Sequence, residues 1–131
     1  RFHAQETVIR APGLADPALI DFKGQKLLFA TQYAAESIVV YQGSPLQQSS
    51  RFHGVSVPFP MIVDDELWLL ATRVTNGRPQ AVRAVSADGL EFSEFEPFLP
   101  LDSEEVCASP VGAQLNGNTV VFCVEEPILP Q

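Results

Sequence analysis

The sequence is poor in several residue types. Of its 131 residues only two are lysine, two cysteine, two histidine, one methionine and one tryptophan. Eight basic side chains face sixteen acidic ones, a formal net charge of -8. Neutralising phosphates needs clustered Lys and Arg, so the balance argues against nucleic acid and anionic membrane surfaces as partners. No apolar run approaches the roughly 18 residues of a membrane-spanning helix, and no signal peptide is visible. Two cysteines are too few for a disulfide-stapled scaffold, and with no His pair near them they do not suggest a metal site. No metal or cofactor is expected. Helix signals are nearly absent as well, since eleven prolines recur along the chain. The chain opens on Arg1 rather than Met, which leaves room for a leader, a tag or a longer parent. Nothing names the compartment; a soluble protein is expected.

What remains is strand-forming. Short apolar runs lie at 18–20, 26–31, 38–41, 61–63, 67–70, 81–82 and 119–124, rich in β-branched and aromatic residues. Turn pairs bound them: Lys23-Gly24, Asp64-Asp65 and Asn116-Gly117, the last being the strongest hairpin signal. The pattern predicts strands near 18–22, 26–33, 37–42, 50–57, 60–64, 66–74, 80–86, 91–98, 110–115 and 118–125, with an earlier one near Glu6 to Arg10. The fold class is all-β and antiparallel, in a single domain over 1–131. A regular hairpin at Asn116-Gly117 sets Pro110 opposite Cys123 and Cys107 opposite Glu126. The two cysteines are then not direct cross-strand partners, so free thiols are the preferred expectation and a bridge the alternative.

The chain also repeats. Segments 17–33, 60–74 and 110–125 each open on Pro, run as an apolar strand, turn, and return as a more apolar strand. The prolines are 43 and 50 residues apart, and Arg1-Phe2-His3 recurs as Arg51-Phe52-His53. Such a period in an all-β chain is that of β-propeller blades. The stretches Leu67 to Leu70 and Val120 to Val124 are continuously apolar, which predicts strands covered on both faces. Repeats near 17–57, 60–98 and 110–125 make about two and a half to three blades, fewer than a closed ring needs. Self-association or further sequence is expected to complete it, with a β-sandwich as the alternative fold.

The stretch Thr7 to Thr31 resembles the opening blade of the five-bladed propeller glycosidases, the arabinanase, xylosidase and fructosidase-like superfamily. The resemblance rests on Ala15-Asp16-Pro17, Phe22-Lys23-Gly24 and Leu27 to Thr31, with Ser86 to Phe92 similar to a turn between outer strands of such blades. It implies a carboxylate on the first blade, matched by Asp16, and a general acid on a later one. The expected equivalents of Asp16 are Phe59 and Ser109, which cannot serve as acid or base at a glycosidic bond. Glu125-Glu126-Pro127 resembles the acid-bearing stretch only faintly.

Antiparallel pairing starts the first strand of each unit where the second finishes. Asp16, Gln32, Tyr33, Arg73 and Glu125 are therefore expected at one end, able to hydrogen-bond sugar hydroxyls and to offer an aromatic face. The preferred role is binding of a carbohydrate or another neutral polar ligand there. A glycoside hydrolase-like enzyme using Asp16 and a non-catalytic assembly module are the alternatives. Trp68 is expected in the core, His3 and His53 in packing roles, and Asp64-Asp65-Glu66 in a solvated turn. An acidic loop at Asp102, Glu104 and Glu105 is expected to face solvent.

Overall fold

The computed structural model describes residues 13–98 and 105–127, with backbone only for 105–106 and 125–127. Over these residues the chain is all-β and antiparallel. Strands β1 (Leu14–Phe22), β2 (Gln25–Gln32), β3 (Ser37–Gln42) and β4 (Gln47–His53) form one sheet in that order. Strands β5 (Ser56–Val63), β6 (Glu66–Thr75), β7 (Arg78–Ser86) and the short β8 (Glu96–Pro97) form a second. Strands β9 (Glu105–Leu115) and β10 (Asn118–Pro127) pair as a third, so Glu105 begins a strand rather than lying in an acidic loop. Among the described residues no helix is long and apolar enough to cross a membrane.

The three expected hairpin turns are present. Lys23-Gly24, Asp64-Asp65 and Asn116-Gly117 hold left-handed φ at both positions, which matches the twist of the flanking strands. Asn76-Gly77 makes a fourth such turn between β6 and β7. Aligned on the first three turns, the hairpins correspond residue for residue: Phe22, Val63 and Leu115 each precede the turn. Pro17, Pro58 and Pro110 then share one position. The second repeat is therefore anchored by Pro58 rather than Pro60, and Val57 rather than Phe59 is the equivalent of Asp16.

All three ladders slip at this position. Asp16, Val57 and Ser109 carry φ of 53°, 54° and 50°, each just before its proline. A following proline disfavours the right-handed helical region, and an extra left-handed residue makes a bulge. For a β-branched residue such as Val57 the conformation costs about 1–2 kcal/mol. A repeated hydrogen bond offsets it. The Val57 amide donates to Thr31 Oγ1 at 2.8 Å, and the Ser109 amide donates to Thr72 Oγ1 at 2.7 Å. Thr31 and Thr72 are themselves equivalent, so the same bond ties each sheet to the next.

The Ser109 bulge also corrects the expectation of free thiols, which assumed an uninterrupted ladder. Past the bulge Cys107 lies opposite Glu125 instead of Glu126, and it is bridged to Cys123 with the two Cα atoms 5.4 Å apart. Closing a loop of this size stabilises by about 3 kcal/mol in the chain-entropy picture.

The sheets pack face to face in chain order. Phe22, Leu27, Phe29, Ile38 and Val40 of the first meet Leu67, Leu69, Ala71 and Val82 of the second. Met61, Val63 and Leu70, joined by Phe59 and Trp68, form the opposite face of the second sheet, where Val121 of the third packs. Trp68 thus has the packing role expected of it, and the Arg83 guanidinium lies 4.4 Å from its ring centroid. Successive residues of β6 face different neighbours, which is why 67–70 carries no polar alternation. Residues 120–124 share that pattern without that outcome: Val121 faces the second sheet, while Phe122 and Val124 are 59% and 51% exposed.

The outer strand expected over 91–98 is reduced to Glu96–Pro97, and the one expected over 50–57 runs from Gln47 to His53. Phe92 and Phe95 turn inward instead, edge-on to Phe52, with ring centroids 5.3 Å apart in both pairs. Asp88 Oδ1 organises the preceding loop by accepting from the amides of Glu91 and Leu90, which hold its carboxyl below the usual carboxylate range. The loop's carbonyls clamp the two sheets together. Ala87 accepts from Lys23 Nζ at 2.8 Å and Asp88 from Gln25 Nε2 at 3.1 Å. The strand expected near Glu6 to Arg10, the Arg1-Phe2-His3 repeat, Asp102 and Glu104 lie outside the described residues.

Candidate functional site

Because each hairpin is antiparallel, the bulged start of its first strand lies beside the end of its second. Asp16 and Tyr33 meet there. The Tyr33 hydroxyl donates to Asp16 Oδ2 at 2.6 Å. The bulge fixes Asp16, and a 3-10 turn over Tyr33–Ala35 fixes Tyr33, closed by the Glu36 amide donating to the Tyr33 carbonyl at 3.0 Å. Glu36 in turn accepts from the Gly54 amide through its own carbonyl at 2.7 Å, pinning the turn to the chain that leads into β5. The Asp16 hydrogen bond raises the Tyr33 pKa above the ordinary 10.0, helped by partial burial and by the charge of Asp16. Tyr33 remains 54% exposed, so its ring is open to a ligand.

Tyr33 borders a cavity of about 370 Å³ between the first and second sheets. Glu36, Ser56 and Thr72 line it with polar groups, buried Val55 lines it with an apolar one, and Val74 stands exposed at its edge. A phenol, carboxylates and hydroxyls around a partly apolar hollow suit a ligand that has hydroxyl groups and weakly polar C–H faces.

Gln32 and Arg73 occupy equivalent positions at this same end, but they alternate with Thr31 and Thr72 and so face the other way along their strands. Gln32 Oε1 accepts from Arg51 Nη1 at 2.7 Å, and the same guanidinium donates to Ser37 Oγ. Arg73 Nη1 donates to the Phe95 carbonyl at 3.2 Å and borders a separate hollow of about 450 Å³ with Phe52, His53 and Phe92. His53 is exposed there, and Phe52 beside it carries the packing. The backbone of Glu125 reaches the same end of the third hairpin, opposite Cys107. Of the five candidates, the structure joins Asp16 to Tyr33 and gives Gln32 and Arg73 different partners.

Asp16 is the one carboxylate among the three bulge residues; Val57 and Ser109 hold the other two positions. The sequence pattern passed over Glu36, Ser56, Thr31 and Thr72. A signal for the threonines was present in the matching ends of Leu27-Leu28-Phe29-Ala30-Thr31 and Trp68-Leu69-Leu70-Ala71-Thr72. Glu36 had no such signal, because its place depends on a turn between strands. No family model, curated protein or solved structure matches the chain.

Proposed function

We propose that the chain is a β-propeller-like ligand-binding protein that holds a carbohydrate or another neutral polar ligand where its innermost strands begin. Three hairpins in one register, each bulged before a proline and each stacked on the last, support the blade reading. The observation that carries the binding reading is the Tyr33–Asp16 hydrogen bond beside a cavity that is open to solvent. An exposed phenol ring offers a stacking face, while the Asp16 carboxylate fixes its hydroxyl and keeps acceptor capacity for sugar hydroxyls. Hydrolysis needs a second carboxyl group set across the bond from the first; the equivalent bulges carry Val57 and Ser109 and supply none, and binding is the reading preferred over turnover.

The test is a neutral glycan array followed by calorimetric titration of any hit. Tyr33→Ala is expected to weaken binding on the order of tenfold, the equivalent of one aromatic contact of about 1.4 kcal/mol. Absence of binding, or binding that Tyr33→Ala leaves unchanged, removes the proposal. Turnover of chromogenic glycosides that is lost in Asp16→Asn would replace it with the hydrolase reading.

A further inference from the structure

We propose that the hollow beside Arg73 binds a small organic acid, a carboxylate carried on an apolar ring or chain, and that it is a site separate from the one at Tyr33. It lies between β4 of the first sheet and the 92–95 loop of the second, with a volume of about 450 Å³. Arg51, His53 and Arg73 border it, against one acid, Glu94. Acids outnumber Lys and Arg by 16 to 8 over the whole sequence, so the balance is reversed at this place. A hollow whose walls carry one sign of charge draws the opposite ion to it, whatever the net charge of the chain.

Arg73 is the anchor. It is half-buried, and the Phe95 carbonyl holds its Nη1 at 3.2 Å, which fixes the guanidinium and leaves its other N–H groups for a ligand. Among the described residues Arg73 makes no ion pair, although Glu94 borders the same hollow. Arg51 commits its Nη1 to Gln32 and Ser37 and contributes positive potential at the rim. The other wall is aromatic. Phe52, Phe92 and Phe95 are half-buried, Phe52 lies edge-on to both of the others, and Phe92 is edge-on to the fully buried Phe29. Rings locked in this way offer apolar surface with little side-chain freedom left to lose on binding. The Ser93 hydroxyl is already engaged, accepting from the Val85 amide and donating to the Glu94 carbonyl. A neutral polyol therefore finds few partners here, whereas a carboxylate with an apolar body uses both the guanidinium and the rings.

Titration of the chain with phenylacetate, followed by amide chemical shifts in NMR, tests this. Saturable shifts at Phe52, His53, Arg73 and Ser93 are expected, with a dissociation constant on the order of 1 mM for a ligand of so few atoms. Phenylacetamide lacks the charge and acetate lacks the ring, and each is expected to bind at least tenfold more weakly. Arg73→Gln is expected to weaken phenylacetate at least tenfold. Glu94→Gln removes the competing acid and is expected to tighten it several-fold. Glu94 is exposed, and unchanged circular dichroism verifies that each variant folds; should Arg73→Gln not fold, the response of Glu94→Gln decides. Absence of saturable shifts overturns the proposal. So does phenylacetamide binding as tightly as phenylacetate, a folded Arg73→Gln of unchanged affinity, a Glu94→Gln of unchanged affinity, or shifts that gather at Tyr33 instead.

Discussion

A methyl group added at Gly112 tests how the third hairpin sits on the second sheet. Gly112 lies in β9 opposite Val121, and a Cβ there would come within 2.5 Å of Met61 Sδ, 3.1 Å of Met61 Cε and 3.3 Å of the Val120 carbonyl oxygen. Met61 is buried, with 7% of its surface exposed, so its side chain has little room to retreat. Where no clash intervenes, Gly→Ala stabilises by about 0.4–1 kcal/mol through the unfolded chain. Overpacking a filled core costs about 1–3 kcal/mol, so the expected net effect of Gly112→Ala is a loss of about 1–2 kcal/mol. In urea that loss lowers the unfolding midpoint by about 0.5–1 M with the slope unchanged. Met61→Val removes the clashing atoms and has its own cost, yet the double variant should be more stable than the two separate losses imply, by about 0.5 kcal/mol or more. A neutral or stabilising Gly112→Ala, or strict additivity with Met61→Val, would refute the packing of β9 on Met61 from which this is derived.

The threonine ties and the tyrosine give two further expectations. Thr31→Val and Thr72→Val keep the side-chain shape but leave the bulge amides of Val57 and Ser109 without acceptors, so chemical denaturation should report a loss of about 1–3 kcal/mol for each; a loss near zero would remove the hydrogen bonds from the account. In ultraviolet pH titration, the Tyr33 phenolate should appear above pH 10 and move back toward 10.0 in Asp16→Asn, with Tyr33→Phe identifying its share of the signal. The folded chain holds this proton more tightly than the unfolded one, so the contribution is whole below pH 10 and is lost as pH rises through the folded value. With Tyr33 more than half exposed, the accompanying change in stability should be small.

Strand positions were legible where local chemistry decides them. Lys23-Gly24, Asp64-Asp65 and Asn116-Gly117 name their own turns because few residue pairs tolerate two left-handed positions in succession. The sequence places a strand at 37–42, and β3 runs from Ser37 to Gln42. Sequence alone favours Pro60 as the anchor of the second repeat because Pro58 and Pro60 both fit an extended strand; only the ladder slip at Val57 separates them. The outer strand over 91–98 failed for a related reason. Alternation of Phe92 and Phe95 with polar residues fits a strand edge, but both rings gain more by packing on Phe52 and the first sheet.

The recurrent prolines, the short apolar runs and the turn pairs determined from sequence alone that the chain is all-β and antiparallel. They also revealed a repeat, because composition and short-range periodicity survive without knowledge of contacts. Contacts decided the rest. The joining of Cys107 to Cys123 depends on one bulge residue, the meeting of Tyr33 with Asp16 on a bulge and a 3-10 turn acting together, and the burial of Leu70 but not Phe122 on whether another sheet lies beside them. Each of these sets partners at long sequence separation, where a shift of one residue reverses which face a side chain takes. Local preference has no means of registering such a shift.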